Sequence, residues 1–244
     1  MGIGQEFIKA TNSDVPQNAG REQGVKEPYL EVLYDGKSEL VQIPEPDFLD
    51  DVEGSFLELI ELRSSVRQYS GEEMTLKQLS LLLWCTQGVK MVTDRTVRNV
   101  PSAGGRHAFE TYLLIRSVEG VTPGVYRFLA IEHLLVKVGG EEMMNEIASR
   151  GCTQPIVQTA SVVFFWAAQV DRMTWRFGER GYRYLMIDAG HICQNLYLTA
   201  GAIKFGACAI GACAIGAFDD NAMNEILGLD GENAFVLYGA SVGK

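Results

Sequence analysis

From about residue 50 onward, the hydrophobic and polar positions of the chain follow two different periods. Short runs rich in β-branched and aromatic residues, each bounded by turn-forming residues, predict strands. These runs lie at residues 111–116, 124–128, 161–168 and 234–240. Helical spacing of apolar residues predicts helices at residues 55–62, 141–150, 188–203 and 220–227, with Gly228 as the C-cap of the last one. Because no break in composition separates these elements, we expect one α+β domain.

A further helix is predicted to start after Thr75. Thr75 and Gln78 have the spacing of a capping box, in which each side chain satisfies a free backbone N–H of the other residue. Residues 79–88 are apolar nearly all round, which is typical of a helix buried between other elements. The large aromatic residues expected in the core are Trp84, Phe164, Phe165 and Trp166.

The first 28 residues have a different character from the rest. They are polar, rich in Gly, Asn, Gln and Ser, and show no apolar period. We therefore expect residues 1–28 to form a flexible N-terminal arm or a tail that embraces a partner, and residues 29–244 to form a single domain.

Composition and charge exclude several classes of partner. The apolar fraction of 47% and the charged fraction of 21% are those of an ordinary globular protein. The formal net charge of −10 disfavours binding to nucleic acid or to an anionic membrane surface, because the field of the protein would repel both. Any anionic ligand must therefore be bound by a few placed arginines.

No apolar run is long enough to cross a bilayer, and the N-terminus lacks the design of a signal peptide. We expect a cytoplasmic protein. The five cysteines include no Cys-x-x-Cys pair and the three histidines are scattered, so we expect reduced thiols and no metal site.

One stretch late in the chain is a tandem repeat: the sequence GACAI occupies residues 206–210 and again residues 211–215. Taken alone, the repeat has three interpretations. The first is a glycine loop that binds phosphate, the second is a metal or redox site formed by Cys208 and Cys213, and the third is a packing surface of small residues.

Three polar clusters are the candidates for chemistry. Residues 63–67 (RSSVR) combine two forked guanidinium groups with two hydroxyls, which suits phosphate or a carbonyl-rich ring edge, although a solvated helix end has the same pattern. Residues 98–107 contain glycines that let a ligand approach the backbone, or form a surface turn. Residues 176–184 are dense in Arg and Tyr and form a charged helix end or the wall of a pocket.

Taken in order, these segments resemble the nitroreductase superfamily of flavin-dependent oxidoreductases, and within it the SagB-type dehydrogenase branch. The matching segments are RSSVRQYS, LLLWCTQGV, RTVRNVPSAGGRHAFETYLL, GVYRF, FGERGYRYLMIDAGHICQNLYLTA and ACAIGAFDD. The resemblance implies a nitroreductase-like α+β fold, with a central, mostly antiparallel sheet flanked by helices. It also implies an intertwined homodimer that binds FMN at the interface, each flavin being touched by both chains.

The resemblance also implies roles for particular residues. The segment that reaches the flavin phosphate, ribityl chain and pyrimidine edge corresponds to Arg63, Ser64, Ser65 and Arg67. The loop along the flavin corresponds to Pro101, Ser102, Ala103, Gly104 and Gly105, and the small residues beside the ring to Ile215, Gly216 and Ala217. Lys244 is the candidate for a C-terminal cation at the phosphate. Arg176, Phe177 and Tyr182 are candidates for the substrate pocket.

The reaction implied is a ping-pong hydride transfer. NADH or NADPH reduces flavin N5 and leaves, and a nitro, quinone or related small-molecule acceptor is then reduced. SagB-type enzymes that oxidise azoline rings in peptides carry a Lys-Tyr pair where this chain has Arg176-Phe177. Because an arginine stays protonated and a phenylalanine has no hydroxyl, neither residue suits the base of that oxidation. Azoline oxidation and a non-catalytic flavin-binding module stay as alternatives.

Only the second GACAI copy continues into the family pattern, through residues 216–220. A tandem insertion of five residues is the simplest account of the first copy. We expect it to appear as a bulge or a lengthened loop beside the cofactor.

Overall fold

The computed structural model describes residues 2–46, 52, 54–205, 208–209 and 211–244. Its strands, in chain order, are β1 Leu40–Gln42, β2 Val89–Val92, β3 Thr96–Arg98, β4 Phe109–Ile115, β5 Gly124–Leu129, β6 Leu134–Gly139, β7 Val162–Gln169, β8 Lys204–Phe205, β9 Cys208–Ala209, β10 Gly211–Ile215 and β11 Ala234–Gly243. Its α-helices are α1 Ile3–Ala10, α2 Phe56–Leu62, α3 Leu76–Gln87, α4 Glu141–Glu146, α5 Pro155–Thr159, α6 Val170–Phe177, α7 Gly181–Ala202 and α8 Asp220–Leu227.

Seven strands form one sheet in the order β1-β6-β5-β4-β7-β11-β10, and every pair in it is antiparallel. Alternate residues of the central strands point to opposite faces, so each face has its own buried core. On one face Phe164 and Trp166 pack with residues of α3 and α7. On the other face Val163 and Phe165 pack with residues of α4, α5 and α8. The prediction of an α+β fold with an antiparallel sheet flanked by helices is confirmed.

The local signals proved reliable. The four predicted strands are β4, β5, β7 and β11, with bounds that differ by at most three residues. Thr75 Oγ1 accepts from the Gln78 N–H at 3.2 Å, and the Gln78 side chain accepts from the Thr75 N–H at 2.8 Å. This capping box begins α3 as predicted. Helix α8 ends at Gly228, which is left-handed with φ = 69°.

Other elements depart from the sequence pattern. Helix α7 begins at Gly181, well before the predicted residue 188. The prediction missed its first turns because they contain the Arg- and Tyr-rich cluster and no apolar stripe. The predicted helix at 141–150 is α4 followed by one π-helical turn, Ile147–Gly151. Strand β6 and helix α6 were not predicted from the sequence.

The N-terminal residues contain regular structure. Helix α1 buries none of its residues, and the residue that follows it, Thr11, is fixed to α7. Arg180 Nη1 donates to the Thr11 carbonyl at 2.7 Å, and Arg183 Nε donates to the Thr11 hydroxyl at 2.6 Å. A Cβ on Gly178 would overlap the carbonyl of Gln17, so the turn between α6 and α7 packs closely on this segment. The division of the chain at residue 28 stays a prediction.

Residues 29–33 are attached to the sheet by buried charges. The Glu110 carboxylate on β4 accepts from Arg127 at 3.2 Å, from Arg172 at 2.6 Å and from the Val32 N–H at 2.9 Å. Arg127 also donates to the Val32 carbonyl at 2.7 Å. A buried charge is tolerated when it is paired and hydrogen-bonded in this way.

The second GACAI copy is strand β10, an edge strand in which Ala214 pairs with Ala240 of β11. In the first copy, Cys208–Ala209 pairs with Lys204–Phe205. Gly206, Ala207 and Ile210 lie outside the described residues, so the expected bulge or longer loop stays a prediction. Within the described part of the chain, no helix is both long and apolar enough to span a membrane.

Candidate functional site

The RSSVR segment follows α2 and runs beside the edge strand β10. The Val66 N–H donates to the Ala212 carbonyl at 2.9 Å. This backbone hydrogen bond attaches the segment to the outer edge of β10. Arg63, Ser64 and Arg67 are exposed, and Ser65 is half-buried. The guanidinium and hydroxyl groups of this segment are therefore available to a ligand at the edge of the sheet.

Tyr197 on α7 joins this segment to β10. Its hydroxyl accepts from the Ala214 N–H at 2.7 Å and lies 3.0 Å from Ser65 Oγ. The Arg63 guanidinium lies over the Tyr197 ring, 5.4 Å from its centroid. The sequence analysis did not single out Tyr197, because a tyrosine at helical spacing in an apolar helix has the pattern of a core residue.

The C-terminus lies at the same edge. Gly243 pairs with Gly211, and the Lys244 carbonyl accepts from the Ser70 N–H. Lys244 Nζ lies 3.8 Å from a Glu72 carboxylate oxygen, and the lysine side chain is mostly buried. The ammonium group is thus held near the RSSVR segment, with a carboxylate as its neighbour.

The last residue of β10, Ile215, and the two small residues after it differ in their exposure to solvent. Ile215 is fully buried and belongs to the core on the α8 side of the sheet, so it offers no surface to a ligand in this chain. Gly216 and Ala217 are exposed. We name the residues assembled here the edge-strand cluster, which consists of Arg63, Ser64, Ser65, Arg67, Tyr197, Gly216, Ala217 and Lys244.

The loop of residues 101–105 is fixed from below by Asp188 of α7. The Ala103 N–H donates to Asp188 Oδ1 at 3.2 Å, and the His107 N–H donates to Ser102 Oγ at 2.9 Å. Burial raises the pKa of Asp188, and hydrogen bonds from Ser102 and Ala103 oppose that rise. Asp188 is a positioning residue that the sequence analysis missed, although an Asp inside an apolar helix was a visible signal.

Two substrate-pocket candidates pack on this loop. A Cβ on Gly104 would lie 2.9 Å from both Arg176 Nε and Phe177 Cζ, and Gly104 has φ = 60°, so only glycine suits this position. Pro101 is exposed at the start of the loop and Gly105 is half-buried at its end. We name this second group the loop cluster, which consists of Pro101, Ser102, Ala103, Gly104, Gly105, Arg176, Phe177 and Asp188.

Tyr182 lies apart from the loop cluster. It lines a cleft of about 410 Å³ between the N-terminal segment and α6, together with Gly20, Trp175 and Glu179. Burial raises the pKa of Tyr182. The structure therefore places Arg176 and Phe177 at the loop but puts Tyr182 in a neighbouring cleft.

The two clusters lie on different sides of α7. Asp188 and Tyr197 are nine residues apart within this helix. At 3.6 residues per turn this spacing places their side chains half a turn apart, and about 13.5 Å apart along the helix axis. One chain thus presents two separate groups of candidate binding residues.

A metal centre has no support in the ranges that the structure covers. Among them there is no group of three or more His, Cys, Asp or Glu side chains that could hold a metal ion. Cys213 is buried, and burial raises the pKa of its neighbour Cys193 to about 12, so that thiol is protonated at neutral pH.

The model of the nitroreductase family matches residues 60–244, which is most of the chain. The chain belongs to the nitroreductase family. The chain is 37% identical over 180 residues to the nitroreductase-family protein MJ1384 of Methanocaldococcus jannaschii, a match that covers 73% of this chain and 87% of the relative.

A more distant relative is the trifolitoxin-processing protein TfxB of Rhizobium leguminosarum bv. trifolii. It is 27% identical over 110 residues, which are 41% of this chain and 28% of that protein. The Escherichia coli microcin synthetase McbBCD complex contains a chain with a TM-score of 0.60 and 16% identity, covering 99% of this chain and 91% of that one. The similarity to TfxB supports a place in the SagB-type branch, and the microcin synthetase chain shares the fold.

Solved structures share the fold. A nitroreductase from Ralstonia eutropha has a TM-score of 0.68 and 23% identity, covering 84% of this chain and 89% of its own. One from Anabaena variabilis has a TM-score of 0.64 and 29% identity, covering 76% of this chain. The match spans only 37% of the Anabaena chain.

Two relatives with the same fold were solved with ligands. A Desulfovibrio desulfuricans nitroreductase in complex with FMN has a TM-score of 0.52 and 17% identity, covering 78% of this chain and 86% of its own. The NADPH:FMN oxidoreductase of Vibrio harveyi, complexed with NAD⁺, has the same TM-score and identity, covering 77% and 67%.

Proposed function

We propose that this protein is an FMN-dependent oxidoreductase that uses NADH or NADPH to reduce a nitro, quinone or related small-molecule acceptor. The observation that carries this proposal is the edge-strand cluster. It gathers the exposed Arg63 and Arg67, the Ser64 and Ser65 hydroxyls and two small exposed residues from two distant parts of the chain, residues 63–67 and 216–217.

The residues present suit FMN. Forked guanidinium groups and hydroxyls match the several acceptor oxygens of a phosphate. Gly216 and Ala217 are exposed and have at most a methyl side chain, which lets a planar ring approach the backbone. In the loop cluster, Gly104 has no side chain, so the Arg176 and Phe177 side chains pack directly against its backbone.

Bound FMN would supply the redox chemistry, accepting a hydride from the nicotinamide donor and passing two electrons to the acceptor. The chain's own residues bind and orient. Arg63, which lies over the Tyr197 ring, would supply a positive charge to stabilise the negative charge that a reduced flavin carries. Asp188 holds the Ala103 backbone of the loop in place.

We further propose a homodimer with the flavin at the interface. The edge-strand cluster and the loop cluster lie on different sides of α7, so both can meet one ligand when they come from two protomers. Helix α2 packs against α7 and exposes large apolar side chains, as does α7 itself at Met186 and Ile187. Such a patch is typical of a buried protein interface.

A second candidate is oxidation of azoline rings in a peptide, which the similarity to TfxB favours. Arg176 and Phe177 stand where the azoline-oxidising enzymes have a Lys-Tyr pair, and neither can serve as the base of that reaction. A non-catalytic flavin-binding module is the third candidate.

The test is anaerobic reduction of the purified protein. After reconstitution with FMN, we expect a yellow protein whose visible flavin absorption bleaches on addition of NADH or NADPH and returns on addition of an acceptor. The oxidant panel contains nitroaromatics, quinones and azoline peptides.

Each result separates the candidates. A protein that stays colourless after reconstitution contradicts the whole proposal. Bound FMN that neither nicotinamide donor bleaches in a stopped-flow trace supports the non-catalytic module. Reoxidation by azoline peptides alone supports the second candidate.

A further inference from the structure

Cations and aromatic rings alternate at the junction between α6 and α7. The Arg176 guanidinium lies 5.5 Å from the centroid of the Phe177 ring. Phe177 and Tyr184 pack edge to face with centroids 4.7 Å apart. The Arg180 guanidinium lies 5.7 Å from the Tyr184 centroid, and its Nε donates to the Tyr184 hydroxyl at 2.9 Å. We name these four residues the arginine–aromatic wall.

The arginines of this junction have no carboxylate partners. Within the part of the chain that the structure describes, neither Arg176, Arg180 nor the neighbouring Arg183 forms an ion pair with an acidic side chain. Arg180 and Arg183 donate to neutral oxygens of Thr11.

This lack of pairing stands out because acidic residues are in excess, 31 Asp and Glu against 21 Lys and Arg. Other arginines, such as Arg106 and Arg150, have carboxylate partners. Glu179, the one acidic residue among residues 176–184, is exposed and pairs with none of the three arginines. The junction therefore keeps its positive charge.

The wall shares Arg176 and Phe177 with the loop cluster. Arg176 Nε lies 2.9 Å from the position that a Cβ on Gly104 would occupy. Under the proposed function this loop lies along the cofactor, so a substrate at the cofactor passes Arg176 and the Phe177 ring.

We propose that the arginine–aromatic wall selects substrates that carry an anionic group, carboxylate or phosphate, beside a planar ring. Its location at the active site rests on the proposed function. Arg176 binds the anion through its guanidinium, which is always charged and matches two acceptor oxygens at once, and the Phe177 and Tyr184 rings pack against the planar part. The anionic group belongs either to the acceptor or to the nicotinamide dinucleotide.

The test uses matched substrates with wild type, Arg176→Gln, Arg176→Lys and the control Arg150→Gln, whose side chain lies at the exposed junction of α4 and α8. One arm compares 4-nitrobenzoate with the neutral 4-nitrobenzamide as acceptors, and the other compares NADPH with NADH as donors. For one of these pairs, we expect Arg176→Gln to lower kcat/KM for the more anionic member about tenfold relative to the other. Arg176→Lys should restore part of the preference, and Arg150→Gln should leave it unchanged.

The arm in which the preference changes identifies which substrate carries the anion. The proposal is overturned if Arg176→Gln lowers kcat/KM equally for both members of each pair, or for neither.

A binding measurement keeps this proposal separate from the proposed function. Calorimetric titration of the oxidised protein with four compounds that cannot reduce it, 4-nitrobenzoate, 4-nitrobenzamide, NADP⁺ and NAD⁺, measures binding without turnover. A loss of affinity for the anionic member in Arg176→Gln supports the wall even if no donor reduces the protein. Affinities that are equal in wild type and Arg176→Gln for all four compounds contradict it.

Discussion

Tyr197 shows how one hydroxyl can orient a binding segment. Because its oxygen already accepts from the Ala214 N–H, its own O–H is free to point at Ser65 Oγ, 3.0 Å away. Ser65 then keeps its own proton for an acceptor outside the fold. With an anionic phosphate as that acceptor, the Tyr197–Ser65 contact aligns the donor before the ligand arrives.

We therefore expect Tyr197→Phe to raise the Kd for FMN about fivefold to tenfold, the equivalent of one hydrogen bond, with a much smaller change for riboflavin, which has no phosphate. Fluorescence titration of the two flavins measures the difference. Tyr126→Phe is the matched control, because its buried hydroxyl donates to the Thr122 carbonyl in another part of the sheet. Equal losses for FMN and riboflavin would show that Tyr197 does not act on the phosphate.

At the scale of elements, α2 leaves most of its apolar side chains exposed in the single chain. It packs on α7, yet Phe56, Leu57 and Leu62 are 68%, 75% and 74% exposed. Its N-terminus is well formed, since Ser55 and Glu58 make a reciprocal capping box. A stable helix with an exposed apolar side indicates burial against another molecule, and in a symmetric dimer the same side chains are buried twice.

We expect Leu57→Asp to convert the dimer to monomers. Burial of a leucine contributes about 1.5–3 kcal/mol, and its loss on both protomers weakens the association by a factor of about 100 or more. Sedimentation velocity measures the change, and FMN content should fall in parallel because the proposed flavin site takes residues from both protomers. Leu33→Asp, which alters an exposed leucine away from α2 and α7, should stay dimeric. A wild-type protein that is monomeric at high concentration contradicts the expectation.

At the scale of the whole molecule, hydrogen bonds of buried acidic and arginine side chains join the segment before β1 to the sheet. Glu31 Oε1 accepts from the Ala130 N–H at 2.6 Å and from the Ile131 N–H at 3.3 Å. Burial, and then the charge of Glu110, raise the pKa of Glu31 to about 7, against the lowering effect of Arg98. The folded chain therefore holds a proton here that the unfolded chain has already lost.

This proton gives stability a pH dependence with a definite sign. Between the usual glutamate value of 4.5 and about 7, the native state binds more protons than the unfolded state, so the contribution of Glu31 to the free energy of unfolding falls as the pH rises. We expect Glu31→Gln to melt at a higher temperature than wild type at pH 8 and at nearly the same temperature at pH 5, because Gln can still accept both N–H groups. Thermal denaturation across this range measures it. A melting-temperature difference that does not change with pH would contradict this account.

Much of the fold was predictable because its signals are local. The strands β4, β5, β7 and β11 are read from β-branched runs, and the start of α3 from two residues three apart. The motifs that identify the family are also short and contiguous. Helix α6 was missed although Val170, Met173 and Phe177 recur at helical spacing, because its eight residues show this period over only about two turns. Strand β6 was missed as well.

The sequence by itself determined the residue types available for binding, the antiparallel sheet with its helices, and the family. Only the tertiary structure decided which of those residues meet. The RSSVR segment, β10 and the C-terminus come together through the pairing of β10 with β11, which joins residues about 30 positions apart. The contact between Arg176 and Gly104 forms only when α6 packs on the loop of residues 101–105. Pairing and packing depend on contacts between distant residues, and no local pattern encodes them.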